Sequence, residues 1–346
     1  MQTYDSAKSY LWNYENAPET SMPASDAPVD LPARFLGVPT TSELGVAAGP
    51  LLNGRWVLHY AALGYGVLTY KTVRSKQRDC YPLPNLVPVG NAPVPPNSTL
   101  SSKAEMEGSW AISFGMPSFA PTDWTRDIHQ TRQQLPPGRV LNVSVVATPQ
   151  ADWSLEQVAQ DYALCARLAA ESGADCIEAN FSCPNVGSVD GQLYQRADDA
   201  RYVAKQIREA IGDKPLALKI GHVSDAQDAR RLVGAVEEFV DGLSMVNCIA
   251  ARVRQTAGPP SESPLLHFDG QPRGIGGTAI LDQALAQVEL FAGLAEASQL
   301  DIIGVGGASR PEDVQRFLSA GAAAVHVATA AMTHPSLAEQ YLRLRH

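Results

Sequence analysis

The chain has 346 residues and a net charge of −9, with 45% of residues apolar and 18% charged. This composition supplies a sizeable core and excludes a disordered tail protein; at about 150 residues per domain it admits two domains or one large α/β barrel with extensions. Lys and Arg are scattered through an acidic chain, which excludes the basic footprint a nucleic-acid backbone demands, so no nucleic-acid partner is expected.

Residues 1–40 read as an N-terminal arm and 41–346 as a single barrel domain. The arm is acidic and broken by Pro, without the basic and apolar runs of a signal peptide or membrane anchor, so no membrane association is expected. Its Tyr4, Tyr10, Trp12 and Tyr14 could cap the barrel or meet the partner of a homodimer. From residue 45 onward, eight short β-rich runs alternate with stretches of helical period: residues 45–50, 67–72, 140–146, 175–182, 215–221, 242–249, 301–307 and 323–330. Ser154 with Gln157, and Ser309 with Glu312, read as capping boxes that open two of the intervening helices. The alternation predicts an α/β fold of (β/α)8 TIM-barrel type, with a doubly wound sheet as the alternative. Two segments exceed the minimal barrel, 74–110 and 251–273; they are expected as long loops over the C-terminal mouth.

The strand ends that converge on that mouth carry Ala47, Ala48 and Gly49; Lys71 and Thr72; Asn142 and Ser144; Asn180, Ser182 and Cys183; Lys219; Asn247 and Cys248; Gly306 and Gly307; and Ala328 and Thr329. Amides and ammonium groups at the ends of apolar strands are costly without partners, which either neighbouring loop carbonyls or a planar heterocycle would supply. Residues 274–278 read as the opening of a helix. With the glycines at 304–307 and the segment 328–330, they suggest a backbone cradle for phosphate. Cys183, between Ser182 and Pro184, suits a base, a nucleophile or a small buried thiol. His222 reads as a loop residue and His326 as barrel packing. The five cysteines, Cys80, Cys165, Cys176, Cys183 and Cys248, contain no Cys-x-x-Cys pair. That argues against disulfides and zinc, and a reducing cytoplasm is the expected location.

The run Asn180-Phe-Ser-Cys-Pro-Asn185 resembles the Asn-x-Ser-Cys-Pro-Asn loop of the dihydroorotate dehydrogenase family. Ala47-Ala-Gly49, Tyr70-Lys-Thr72, Phe114-Gly-Met-Pro117, Lys219, Val246-Asn247, Gly274-Ile-Gly-Gly277, Ile303-Gly-Val-Gly-Gly307 and Ala328-Thr329 follow the family's order. Cys at the base position resembles its soluble class. The resemblance implies FMN across the mouth, its phosphate on Gly276, Gly277, Gly306, Gly307, Ala328 and Thr329, with Ala47, Ala48, Gly49, Lys71, Thr72, Asn142, Asn180, Lys219 and Val246 completing the cofactor site. It further implies Cys183 as general base, Lys71 as a catalytic cation, and Asn180, Asn185, Asn247 and Cys248 around a cyclic amide substrate. A soluble oxidant or partner protein would take the electrons. Three positions depart from the pattern: Ile112 stands where the family has a hydrogen-bonding Asn, Pro84-Asn85 replaces Pro-Arg, and Cys248 replaces Ser or Thr. The implied activity is FMN-dependent oxidation of a CH–CH bond. Its alternatives are a less polar ring as substrate, a covalent role for Cys183, and a flavin-binding barrel without catalysis.

Overall fold

Apolar strands whose two faces must both be buried, each followed by an amphipathic helix, have few stable arrangements, and closing the sheet on itself is one of them. The computed structural model describes residues 4–20, 30–95, 98–182, 192–256, 265–296 and 298–345. Its centre is a closed parallel barrel of eight strands in chain order: β1 (Leu44–Val46), β2 (Val67–Val73), β3 (Val140–Val145), β4 (Cys176–Asn180), β5 (Leu216–Lys219), β6 (Gly242–Met245), β7 (Asp301–Val305) and β8 (Ala324–Val327), with β8 pairing back onto β1. Each overlaps one expected run, and closure excludes the doubly wound alternative. Helices α1 (Gly54–Ala62), α2 (Pro121–Gln134), α3 (Leu155–Glu171), α4 (Ala197–Ile211), α5 (Ala226–Val236), α6 (Leu281–Ala295), α7 (Pro311–Ser319) and α8 (Leu337–Arg345) follow the strands.

The first expected cap is present: Gln157 N–H donates to Ser154 Oγ at 3.3 Å, and Ser154 N–H to Gln157 Oε1 at 2.8 Å. The second is shifted by one residue. Pro311 takes the first helical position, where its missing N–H costs nothing, so Arg310 becomes the cap residue. Asp313, not Glu312, then accepts from the N–H groups of Ser309 and Arg310, at 3.1 and 3.2 Å.

The two long segments are not merely loops. They pair with each other in a five-stranded sheet over the mouth, in the order Leu86–Val89, Ser109–Ile112, Arg273–Gly277, Ile249–Arg254, Thr99–Ser101. Residues 273–277 are therefore a strand, correcting the expected helix opening; a 3₁₀ turn, Thr278–Ile280, intervenes before α6. The sixth expected run likewise divides, β6 ending at Met245 and Ile249 starting a strand of the outer sheet.

The N-terminal segment caps its own barrel. Tyr4 and Tyr10 meet Phe114 edge-on, and Tyr14 lies 4.4 Å from Phe119, centroid to centroid. Trp56 Nε1 donates to the Asn13 carbonyl at 3.0 Å, and Asn53 Nδ2 to that of Tyr14 at 2.9 Å. Trp12 does not join this cap and is 39% exposed. At the opposite end, the hairpin Ala33–Phe35/Val38–Thr40 packs Phe35 and Leu36 with Val67, Val140, Cys176 and Ile303, closing the bottom of the barrel.

Phe35 stacks on His326, whose ring is fully buried inside the barrel as expected of packing. Burial, reinforced by the charge of Lys219, lowers its pKa to about 3. Below about pH 6.5 the unfolded chain takes up a proton that the folded chain refuses, so this residue's contribution to stability is intact above 6.5 and falls as pH drops toward 3. Between pH 7 and 5 the wild type should lose about 2 kcal/mol more than His326→Gln. Denaturant unfolding at the two pH values checks this; parallel losses in both proteins would contradict it.

Candidate active site at the barrel mouth

Strand alternation and register bring the expected polar groups to one rim. Lys219 on β5 is the direct partner of Asn180 on β4, and both are buried, as is Lys71 on β2. A register shift between Tyr70 and Val73 re-aims the end of β2, so that Thr72 Oγ1 lies 3.0 Å from Ser144 Oγ on β3. Asn142 sits deeper than the rim. It is in register with Thr69, two residues before Lys71, and its Nδ2 donates to Thr69 Oγ1 at 3.2 Å. Ala47 and Ala48 are buried at the end of β1, with Gly49 exposed beside them.

Two asparagines frame the end of β4. Asn180 Oδ1 accepts from the Ser182 N–H at 3.1 Å while its Nδ2 reaches Met116 Sδ at 3.5 Å. Asn247 Nδ2 donates to the Ser182 carbonyl and to its Oγ. Cys183 and Asn185, which follow directly, lie outside the described residues. Cys248 is half-buried next to Asn247.

The three glycine-bearing segments converge. Gly277 and Gly307 both have left-handed φ, +97° and +89°, and a Cβ on Gly307 would lie 2.9 Å from the Gly277 carbonyl. A Cβ on Gly276 would lie 3.6 Å from Thr329 Oγ1, and one on Gly306 3.4 Å from the Val246 carbonyl. Bare glycines and the Thr329 hydroxyl thus share one corner of the mouth. The amides that open the turn before α6 are engaged within the protein, Thr278 N–H with the Gly108 carbonyl at 3.1 Å and Ala279 N–H with Ser109 Oγ at 2.9 Å.

Also at the mouth lie Ile112, already marked by its departure from the family pattern, and two neighbours that sequence reasoning missed, Arg273 and Cys80. The Cδ1 of Ile112 lies 3.0 Å from the Cβ position of Gly276, so this departure from the family pattern packs beside the cradle. Arg273 donates from Nε to Ser113 Oγ at 2.8 Å and lies over the rings of Tyr81 and Phe268. Cys80 interacts with Lys71. Nothing in the sequence around Arg273 and Cys80 marks them; only the pairing of the two long segments brings them to the mouth.

Burial pushes the Cys80 thiol up to about 11, against the opposing pull of the Lys71 charge and a hydrogen bond with Asn85. Cys80 is therefore a thiol near neutrality and unsuited as a base. Its alkylation by iodoacetamide, followed by mass spectrometry, should keep rising about tenfold per pH unit past pH 9. A plateau near the ordinary thiol value of about 8.5 would contradict this.

A closed parallel barrel with glycines, two lysines and several asparagines gathered at its C-terminal mouth belongs to the class of (β/α)8 barrel enzymes, whose active sites lie at that face. Residues 108–342 match the family model described as dihydroorotate dehydrogenase, and the chain belongs to the dihydroorotate dehydrogenase family. Its members are flavin-dependent oxidoreductases. The chain is 30% identical over 325 residues to the dihydroorotate dehydrogenase of Dictyostelium discoideum, covering 89% of this chain and 86% of that one. It is 29% identical to the "dihydroorotate dehydrogenase B (NAD(+)), catalytic subunit" of Methanopyrus kandleri, covering 87% and 85%. The crystal structure of the Eimeria tenella enzyme in complex with ferulenol shares the fold, with a TM-score of 0.72 at 18% identity over 96% of this chain and 89% of that one. Among the described residues, no helix is long and apolar enough to cross a membrane.

Proposed function

We propose that the protein oxidises dihydroorotate to orotate with FMN as its resident cofactor. The observation that carries this reading is the convergence, on one barrel mouth, of the glycine corner with Lys71, Lys219 and the asparagines. The residues fit the cofactor. Gly276, Gly277, Gly306, Gly307, Ala328 and Thr329 would hold its phosphate through amides and a hydroxyl, while the small Ala47, Ala48 and Gly49 would admit a flat ring, Thr72 and Val246 would line it, and Asn142 would back it from the layer below. Bound FMN would supply a two-electron hydride acceptor.

The chain's own groups do the rest. Lys71 and Lys219, fixed and mostly removed from water, favour negative charge at the mouth without reorganising during reaction. Asn180, Asn185, Asn247 and Cys248 offer partners to the amide edges of a cyclic substrate. Cys183 Sγ removes the proton from the carbon beside a carbonyl, a role in which a positioned thiolate contributes about 10²–10⁴-fold. The shared chemistry of the family does not favour a repurposed substrate or a barrel without catalysis. A soluble oxidant or a partner protein receives the electrons; the name of the Methanopyrus relative, a catalytic subunit, supports a partner. Steady-state formation of orotate by FMN-loaded protein with a soluble dye as acceptor tests the reading. Turnover should depend on added dihydroorotate, and its absence at saturating FMN would refute it.

A further inference from the structure

The inside of a packed barrel is ordinarily filled by branched aliphatic side chains. Here the interior at and just beneath the mouth is polar, with Thr69, Asn142, Glu178, Lys219, Ser244 and His326 contributed by six different strands. Glu178 is 1% exposed, and its Oε1 lies 4.0 Å from Lys219 Nζ, an ion-pair distance longer than a hydrogen bond. Glu178 Oε1, Asn142 Oδ1, Ser244 Oγ and both His326 nitrogens are buried with no hydrogen-bond partner among the described residues. A buried charge without a counter-charge is costly, so each member of this pair depends on the other.

The surroundings of Lys219 name its counter-charge. From β4 it faces Glu178; from β6 its register partner is Ser244, which carries no charge. Across the barrel it faces His326, whose ring is kept neutral by burial and by the lysine's own charge. Of these neighbours, Glu178 alone is able to balance the ammonium.

We propose that Glu178 is a positioning residue that keeps Lys219 charged beneath the cofactor, so that flavin reduction meets a cation already in place and draws no proton onto that lysine. This rests on the FMN reading above. In Glu178→Gln the buried ammonium has no counter-charge: it gives up its proton while the flavin is oxidised and regains it when reduction brings negative charge to the mouth. The variant therefore takes up one more proton per two electrons than the wild type.

The midpoint potential of the bound flavin, measured against pH, reads this directly. One extra proton per two electrons makes the slope steeper by about 30 mV per pH unit, a tenfold change in the equilibrium per unit. Glu178→Gln should show that steeper slope, and Glu178→Gln/Lys219→Met, which has no lysine to titrate, should return to the wild-type slope. Should Glu178→Gln not fold, Glu178→Asp, with its carboxylate one methylene farther back, must show the steeper slope at the alkaline end of the range. Slopes that superpose on the wild type in whichever variant folds, even with lowered thermal stability, would overturn the role of Glu178 alone. Wild-type FMN binding, measured first by quenching of flavin fluorescence, separates the two ideas, because its absence would overturn the cofactor reading and this proposal together.

Discussion

Gly277→Ala should weaken FMN binding by at least about 100-fold, equivalent to about 2.7 kcal/mol. Gly277 has φ +97° and ψ −166°, a backbone region essentially reserved for glycine, where another residue costs about 1–3 kcal/mol. An added Cβ would also sit 2.1 Å from the Gly108 carbonyl and 2.8 Å from Ser109 Cα. Both contacts are backbone, so neither yields by a change of rotamer. The strands Ser109–Ile112 and Arg273–Gly277 would have to separate, moving the Gly277 carbonyl away from Gly307 and opening the glycine corner. Gly293→Ala is the control: it lies on α6, with nothing within 4 Å of its Cβ position, and should leave FMN affinity unchanged. Fluorescence titration beside far-UV circular dichroism distinguishes a lost cradle from a lost fold. A Gly277→Ala protein that binds FMN as tightly as the wild type would contradict the phosphate assignment.

The second large effect is expected at Cys183. Cys183→Ala should slow dihydroorotate-driven flavin reduction by about 10²–10⁴-fold, the share ordinarily supplied by a positioned base, while leaving FMN bound. Cys80 is unable to substitute, because burial holds it as a thiol with a pKa of about 11. Cys183→Ser should retain part of the rate with its optimum displaced to alkaline pH, since a hydroxyl surrenders its proton less readily than a thiol. Stopped-flow reduction under anaerobic conditions checks both variants. An unchanged rate in Cys183→Ala would remove this residue from the mechanism and leave the cofactor site intact.

How much of this was legible in the sequence depended on how far apart the interacting partners lie. The eight barrel strands could be read because each is a short apolar run closed by Gly, Asn, Lys or Thr and followed by a helical period. The outer sheet could not, because its strands are short, interrupted by residues such as Pro88, and paired across nearly half the chain, as Ile112 is with Gly274. The same long-range pairing turned residues 273–277 into a strand where glycines alone suggest a helix start. Pro311 moved the second cap by one residue, a local rule that outweighed the Ser-to-Glu spacing. At the mouth, Lys71, Asn180, Lys219 and Asn247 come together as their strand-end positions required, whereas Asn142 lies a layer deeper. Glu178 drew no notice, because a single carboxylate within an apolar strand acquires meaning only when Lys219 is seen across the pair. For Cys183 and Asn185 the assignment rests on their place in the sequence, directly after the described Ser182.

Anaerobic mixing of the FMN-loaded protein with dihydroorotate, followed through the flavin's visible absorbance, is the most direct test of the whole account. Bleaching in a single turnover, with one orotate formed per flavin and loss of the reaction in Cys183→Ala, is the expected result. Bound FMN that stays oxidised in saturating dihydroorotate would contradict it.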